Sequence, residues 1–390
     1  MTTAAITLPR IQRPLLFAAL AAALGLFAYL AGTSAKQAAL FVVGTGLGLS
    51  LYHAAFGFTG AYRRAIVDRD ISGVTAQLVM LAAAMLLFAP ILARGAVFGH
   101  GVVGAVAPVS LSVAFGSFLF GIGMQLAGGC ASGTLYTAAG GNVRMILVLL
   151  FFIAGSFWGS LDLQWWSRLP GIGAVSLGRE FGWGPALALQ LGVLALIYGG
   201  LRVSGARNKR SLWFDDGFSW RALLRGPWPL LLSAGLLALL NWVTLLIAGH
   251  PWTITWAFSL WGAKAASAMG WDPAGSPFWS SPFQEAALAG PVLADAISVM
   301  NIGIMVGALV AASLAGKVAP KSRIPLPSLA AAVVGGLLLG YGARLAYGCN
   351  IGAFFSGVAS TSLHGWLWLL CAVPGNMVGV RLRPLFRLDG

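Results

Sequence analysis

Charge is what this sequence has least of. Only 9% of its 390 residues are charged, 10 acidic against 24 basic. A soluble domain carries about 25% charged residues. A chain so poor in charge cannot cover its surface with water-seeking groups, and its apolar stretches need a hydrocarbon solvent. Two or three soluble domains are excluded. Cysteine is scarce too: three residues make no disulfide framework, and an odd number leaves at least one unpaired within the chain. No G-x-x-x-x-G-K-S/T sequence occurs, which argues against ATP hydrolysis. His53, His100, His250 and His364 show no metal-ligand spacing and no haem-type pair. No loop is long enough for a soluble catalytic domain. The sequence therefore predicts neither an enzyme nor a bound metal or cofactor.

What is abundant is apolar: 58% of the chain, with 53 glycines and 15 tryptophans. The fold class expected is an all-α polytopic membrane protein of about ten spans. The candidate spans are 14–31, 38–56, 74–93, 112–127, 143–160, 184–202, 226–247, 285–316, 328–348 and 365–381. The first follows Arg10 and Arg13 and is too long for a signal-peptide core, so it reads as a retained helix. Net charge is +14, and the basic residues scatter through short loops, which disfavours nucleic-acid binding. They cluster at Arg10/Arg13, Arg63/Arg64/Arg69, Arg202 to Arg225, Lys317/Lys321/Arg323 and Arg381 to Arg387. Placing all five clusters in the cytoplasm satisfies the positive-inside rule and puts both termini there. The Trp- and Pro-rich stretches 161–183 and 270–284 then lie outside.

Two segments are not simple spans. GIGMQLAGGCASGTLYTAAGG within 112–141 and GLLLGYGARLAYGCNIGAFFSGVAS within 334–364 are apolar runs broken by glycine-rich centres. Unwound backbone at membrane depth survives only where protein or a water-filled cavity satisfies it. Shifting the chain by 219 residues lays Gly121–Gly133 on Gly340–Gly352 with seven of thirteen positions identical: Gly121, Gly123, Leu126, Ala127, Gly129, Cys130 and Gly133. A weaker echo pairs Phe58-Thr59-Gly60-Ala61 with Ile254-Thr255-Trp256-Ala257. The expected organisation is an extra helix at 1–37, repeat 1 at 38–202, a cytoplasmic linker at 203–225 and repeat 2 at 226–385. The first repeat enters from outside and the second from inside. That makes an inverted-topology repeat whose broken helices meet near the midplane, where such folds bind substrate.

Cys130 and Cys349 stand at those breaks, flanked by Gly129 and Gly133 and by Gly348 and Gly352. Nothing bulky shields either thiol, and a helix start follows, which favours anions. Two such thiols could hand a soft, polarizable sulfur anion from one to the other, whereas a hard anion such as phosphate would gain little. Alternatively each Cys is a small residue packed at a helix crossing; Cys371, without a counterpart, reads that way. A membrane thiol redox protein is a further alternative, and needs the two Cys within about 6 Å between Cα atoms.

GGCASGTLYTAAGGN and YGARLAYGCNIGAFFSG, with GHPWTITWAFSLWGAKAASAMGWDP between them, resemble the YeeE/YedE sulfur-transport family over about 40–385. The resemblance implies an inverted-repeat protein of the bacterial inner membrane that takes up thiosulfate through a relay of cysteines, here Cys130 and Cys349. Some thiosulfate-importing members carry a further Cys on the first broken motif, where this chain reads Gly57-Phe58-Thr59-Gly60. The longer, His-Pro-Trp-bearing branch resembled here has also been proposed to move selenium compounds. The partners implied are a small sulfur-containing anion and the lipid bilayer. A soluble cytoplasmic sulfur-carrier protein is a candidate acceptor.

Charged candidates complete the pathway set. Arg63 either lines a cationic mouth with Arg64 or anchors a loop. Lys264 holds the equivalent place in the second half, deeper in apolar sequence. Arg344 lies five residues before Cys349, as Gln125 does before Cys130. An Arg inside an apolar span is costly enough to suggest function. Asp295 is open between a proton site and an outer-leaflet ion pair.

Overall fold

The computed structural model describes residues 10–214, 217–318 and 324–388; the expected basic positions Lys321 and Arg323 lie outside them. Helices dominate. The first half holds α1 (Arg13–Thr33), α2 (Ala35–His53), α3 (Phe58–Asp68), α4 (Ser72–Arg94), α5 (Leu111–Ala127), α6 (Ala131–Ala139) and α7 (Val143–Ser167). After α8 (Leu177–Phe181) and α9 (Trp183–Val203), the linker carries α10 (Trp220–Arg225). The second half holds α11 (Leu230–Ala248), α12 (Thr255–Ala268), α13 (Pro282–Ala289), α14 (Ala296–Ala315), α15 (Leu326–Leu345), α16 (Ser356–Ala359) and α17 (Leu363–Leu382). Among the described residues, sheet is confined to two small antiparallel pairs.

Among the described residues, ten segments are long and apolar enough to cross a membrane, as expected. One boundary differs. The run read as a single span at 285–316 is two helices, because Pro291 and the extended Asp295 interrupt it. Asp295 caps α14, its carboxylate accepting from the Ser298 N–H at 2.7 Å and from Trp256 Nε1 at 3.0 Å. A side-chain acceptor there satisfies an otherwise orphaned donor of the first turn. Ser34, Ser110 and Asn142 cap α2, α5 and α7 in the same way.

The two halves interlock. α15 packs along α7 while α17 packs along α5, and α14 lies against α2 while α11 lies against α4. Hydrophobicity cannot drive such contacts inside lipid, so close backbone approach through small residues does. At Gly340 an added Cβ would fall 2.2 Å from the Phe152 carbonyl oxygen of α7, and at Gly121 it would fall 2.3 Å from that of Ala372 in α17. No larger residue fits either place without moving a helix.

At one end the linker is strapped to the first half. Asp70 and Arg207 form a bridge, and Asp70 accepts from the Ser72 hydroxyl and N–H and from the Lys209 N–H. Burial alone would raise this carboxyl. The hydrogen bonds from Ser72 and Lys209, with the Arg64 charge, outweigh it and hold the group below its ordinary value.

Candidate functional site

Four short helices start where a long one stops: α3 after Ala54–Gly57, α6 after Gly128–Cys130, α12 after Gly249–Ile254, and a π-helix (Asn350–Phe355) running into α16 after Tyr347–Cys349. At about 1.5 Å per residue none of α3, α6 or α12 exceeds about 21 Å, too short to span a bilayer. The breaks have local causes. Gly128 takes a left-handed φ of 78° to end α5, and Tyr347 and Gly348 take φ of 56° and 152° after α15. Gly348 has little choice of residue, since a Cβ there would meet Ala353 N at 2.6 Å. On the second-half loop, Asn241 accepts from the Trp252 N–H and donates to Ser356 Oγ, which itself donates to the Trp252 carbonyl. That triangle ties the His-Pro-Trp loop to the start of α16.

Cys130 and Cys349 are the N-caps of α6 and of the π-helix, both fully buried and free. Cys130 Sγ stands 3.4 Å from Ser132 Oγ, with the N–H groups of Gly133 and of Phe58, at the head of α3, turned toward it. Cys349 Sγ accepts from the Ile351 N–H at 3.4 Å, with the Gly352 N–H beside it. Gly352 in turn abuts Thr253, just before α12. Each thiol therefore sits where two helix N-termini converge. Their partial positive charge favours an anion.

The remaining pathway candidates divide. Gly133 offers open space beside its thiol: a Cβ there would have Cys130 Sγ at 3.4 Å as its sole neighbour within 4 Å. Gly129 backs onto Thr134. Arg344 lines a cavity of about 320 Å³ with His250, Thr253, Trp256, Tyr347 and Gly348, so it reaches the Cys349 loop from one side. Its guanidinium lies 5.1 Å over the Phe278 ring, and Nε has no hydrogen-bond partner. Its repeat counterpart Gln125 is structural instead, donating to Asn376 Oδ1 at 2.7 Å and to the Thr59 carbonyl at 3.3 Å. Lys264 stands apart from that cavity, its ammonium donating to the carbonyls of Leu288 and Gly290 at 2.6 Å each. Arg63 lies half-buried on α3, one residue before Arg64, whose Nε is 3.7 Å from Asp70.

A second cavity, of about 690 Å³, is lined by Tyr52, His53, Arg210, Arg225, Trp228 and Lys317. Tyr52 stacks edge-on with Tyr136, whose hydroxyl abuts Gly57 at the head of α3. Tyr52 lines the cavity, and Tyr136 lies on α6, the helix that Cys130 caps. Cys371 belongs to neither cavity; it lines an apolar groove with Phe115, Trp166 and Pro374.

Sequence reasoning missed four buried polar groups at the centre. Thr59 Oγ1, Tyr62 OH, Thr134 Oγ1 and both amide atoms of Asn350 have no hydrogen-bond partner. The Asn directly after the second Gly-Cys break was the available signal for Asn350, whereas Thr59 and Tyr62 lie on α3, away from either Gly-Cys break in sequence. Among the described residues no group of His, Cys, Asp and Glu could hold a metal.

This architecture has relatives. Over 181 residues the chain is 32% identical to the probable transporter YedE of Escherichia coli (strain K12), covering 45% of this chain and 43% of that protein. It is 33% identical over the same length to YedE of Salmonella typhimurium. The chain thus spans less than half the length of the YedE relatives it matches. It is 28% identical over 351 residues to the thiosulfate transporter TsuA of Spirochaeta thermophila, covering 86% of this chain and 95% of that protein. The model of the sulphur transport family matches residues 53–378, both Gly-Cys breaks included, and the chain belongs to that family.

Proposed function

We propose that this protein imports thiosulfate across the bacterial inner membrane, with Cys130 and Cys349 as successive contacts for its terminal sulfur. The observation that carries the reading is the placement of two buried, free thiols, each at a helix break in its own half, with a cavity lined by Arg344 and Gly348 beside Cys349. The interlocked helix pairs support an inverted repeat of 38–202 and 226–385. In that arrangement the Arg344 cavity faces outside and the His53/Lys317 cavity faces the cytoplasm, with both termini.

The route then follows from the order of contacts. Arg344 raises the local anion concentration without choosing among anions. The ion meets Cys349, then Cys130, and leaves past Tyr136 and Tyr52. The cytoplasmic cavity, cationic through Arg210, Arg225 and Lys317, is where a soluble sulfur-carrier protein would collect it. Thiols supply the choice: the terminal sulfur of thiosulfate accepts a polarizable S–H contact, while sulfate presents only hard oxygens. At about 1 kcal/mol per contact, two contacts give roughly thirtyfold preference.

Uptake of radiolabelled thiosulfate into proteoliposomes, competed with sulfate, sulfite and selenite, tests this. Thiosulfate should enter, with sulfate competing at least tenfold more weakly. Equal uptake of sulfate overturns the thiol relay, and preferred uptake of a selenium oxyanion overturns the choice of thiosulfate.

A further inference from the structure

The thiols account for one end of a thio-oxyanion; its oxygens also need partners when stripped of water. The four polar groups left without partners at the centre are the place to look. Asn350 is fully buried and Tyr62 is 7% exposed. Tyr62 OH and the Asn350 amide approach one another, but among the described residues none of Tyr62 OH, Asn350 Nδ2 and Asn350 Oδ1 has a partner at full hydrogen-bond geometry. Asn350 directly follows Cys349, and Tyr62 lies on α3, so the pair draws one group from each half. Buried polar groups are nearly always satisfied, and each exception needs an explanation.

The repeat shows that the fold does not demand these two. In the pairing that lays Cys130 on Cys349, the counterpart of Asn350 is Ala131, and in the pairing of Phe58 with Ile254, the counterpart of Tyr62 is Phe258. Ala131 and Phe258 are fully buried. The same architectural positions are thus filled by apolar residues in the opposite half. One donor has been added from each half, and the two meet.

On the reading of this protein as a sulfur-anion importer, we propose that Tyr62 and Asn350 are specificity residues that hold the oxygen end of a tetrahedral thio-oxyanion while the thiols hold its sulfur. The hydroxyl of Tyr62 and the Nδ2 of Asn350 donate to oxygens, and Thr59, one helical turn before Tyr62, adds a third donor, its hydroxyl, on the same face. These donors are neutral. A cation at this depth would bind a dianion tightly and retain it, whereas neutral donors replace hydration and let the ion move on, as conduction requires.

Proteoliposome uptake of thiosulfate by Tyr62→Phe, Asn350→Ala and Asn350→Asp decides the matter, with monodispersity and melting temperature in detergent as folding controls. Tyr62→Phe removes one oxygen atom and should raise KM about tenfold. Asn350→Ala should do the same. Asn350→Asp keeps the shape but replaces the donor by an acceptor, so it should transport worse than Asn350→Ala; a packing role predicts the reverse order. Should Asn350→Asp fail to fold, Tyr62→Phe alone decides. Wild-type KM in Tyr62→Phe, or Asn350→Asp better than Asn350→Ala, overturns the proposal. Should the wild type carry sulfite or selenite in place of thiosulfate, the parent reading fails, and the same order among variants is expected on that oxyanion. A wild type that carries only an oxygen-free species such as hydrosulfide overturns both.

Discussion

Gly133→Ala separates the needs of the fold from the needs of the pathway. A methyl at this position meets one atom within 4 Å, Cys130 Sγ at 3.4 Å, an ordinary van der Waals contact. The empty protein should accept it. Alanine is also the better helix former, by about 0.5–1 kcal/mol in a helix interior, so the melting temperature should hold or rise slightly. Substrate is another matter. The methyl occupies the open face beside the thiol, where an arriving sulfur must sit. Adding a methylene to a filled space costs about 1–3 kcal/mol. Incurred only with substrate present, that is a rise in KM of roughly 5- to 150-fold. The control is Gly352→Ala, whose Cβ would come 2.6 Å from Thr253 Oγ1; it strains the empty protein and should lower stability as well as uptake. The measurements are thermal unfolding in detergent and initial uptake rates against thiosulfate concentration. Gly133→Ala with wild-type KM and rate would show that nothing passes beside this thiol.

Other outcomes follow from the same geometry. Cys130→Ser or Cys349→Ser should reduce thiosulfate uptake severely at near-normal expression, and Cys371→Ser, altering only an apolar groove, should leave it near wild type; equal tolerance at all three positions would return the cysteines to packing. Arg344→Gln should lower uptake of every anion carried by a similar factor, because a charge at the mouth concentrates anions without sorting them, so a change in the thiosulfate-to-sulfate ratio would contradict its place in the cavity. Asp70→Asn should loosen the linker and speed its proteolysis between α9 and α10. Because the Asp70 carboxyl is held below its ordinary value, its contribution is complete at neutral pH and fades only as pH falls below the ordinary carboxylate range. Linker protection in the wild type should therefore persist at pH 5, and its loss there would refute the assignment.

How much of this was legible beforehand depends on which signal carried it. Scarcity of charge and the apolar runs foretold ten spans, because bilayer thickness fixes both length and composition. The breaks at Cys130 and Cys349 were legible because only small residues tolerate that backbone. The interlocking of α7 with α15 and of α5 with α17 was not. In lipid, exposed and packed faces are both apolar, so hydrophobic periodicity marks no packing face; Leu150 faces outward and Val148 inward in the same helix. The cap made by Asp295 was hidden for a related reason: a carboxylate in an apolar run suggests a proton site or ion pair, and nothing in the run's composition marks the break before α14 that it caps. The centre was half legible. Cys130 and Cys349 announced themselves by repetition, whereas Tyr62 and Asn350 were hidden by its lack, since their counterparts Phe258 and Ala131 are apolar. In a duplicated fold, what both halves share is what the backbone needs and what the pathway uses twice. Positions where a buried polar group faces an apolar counterpart owe nothing to the common architecture, so they are where a substrate's own asymmetry, sulfur at one end and oxygens at the other, can be written.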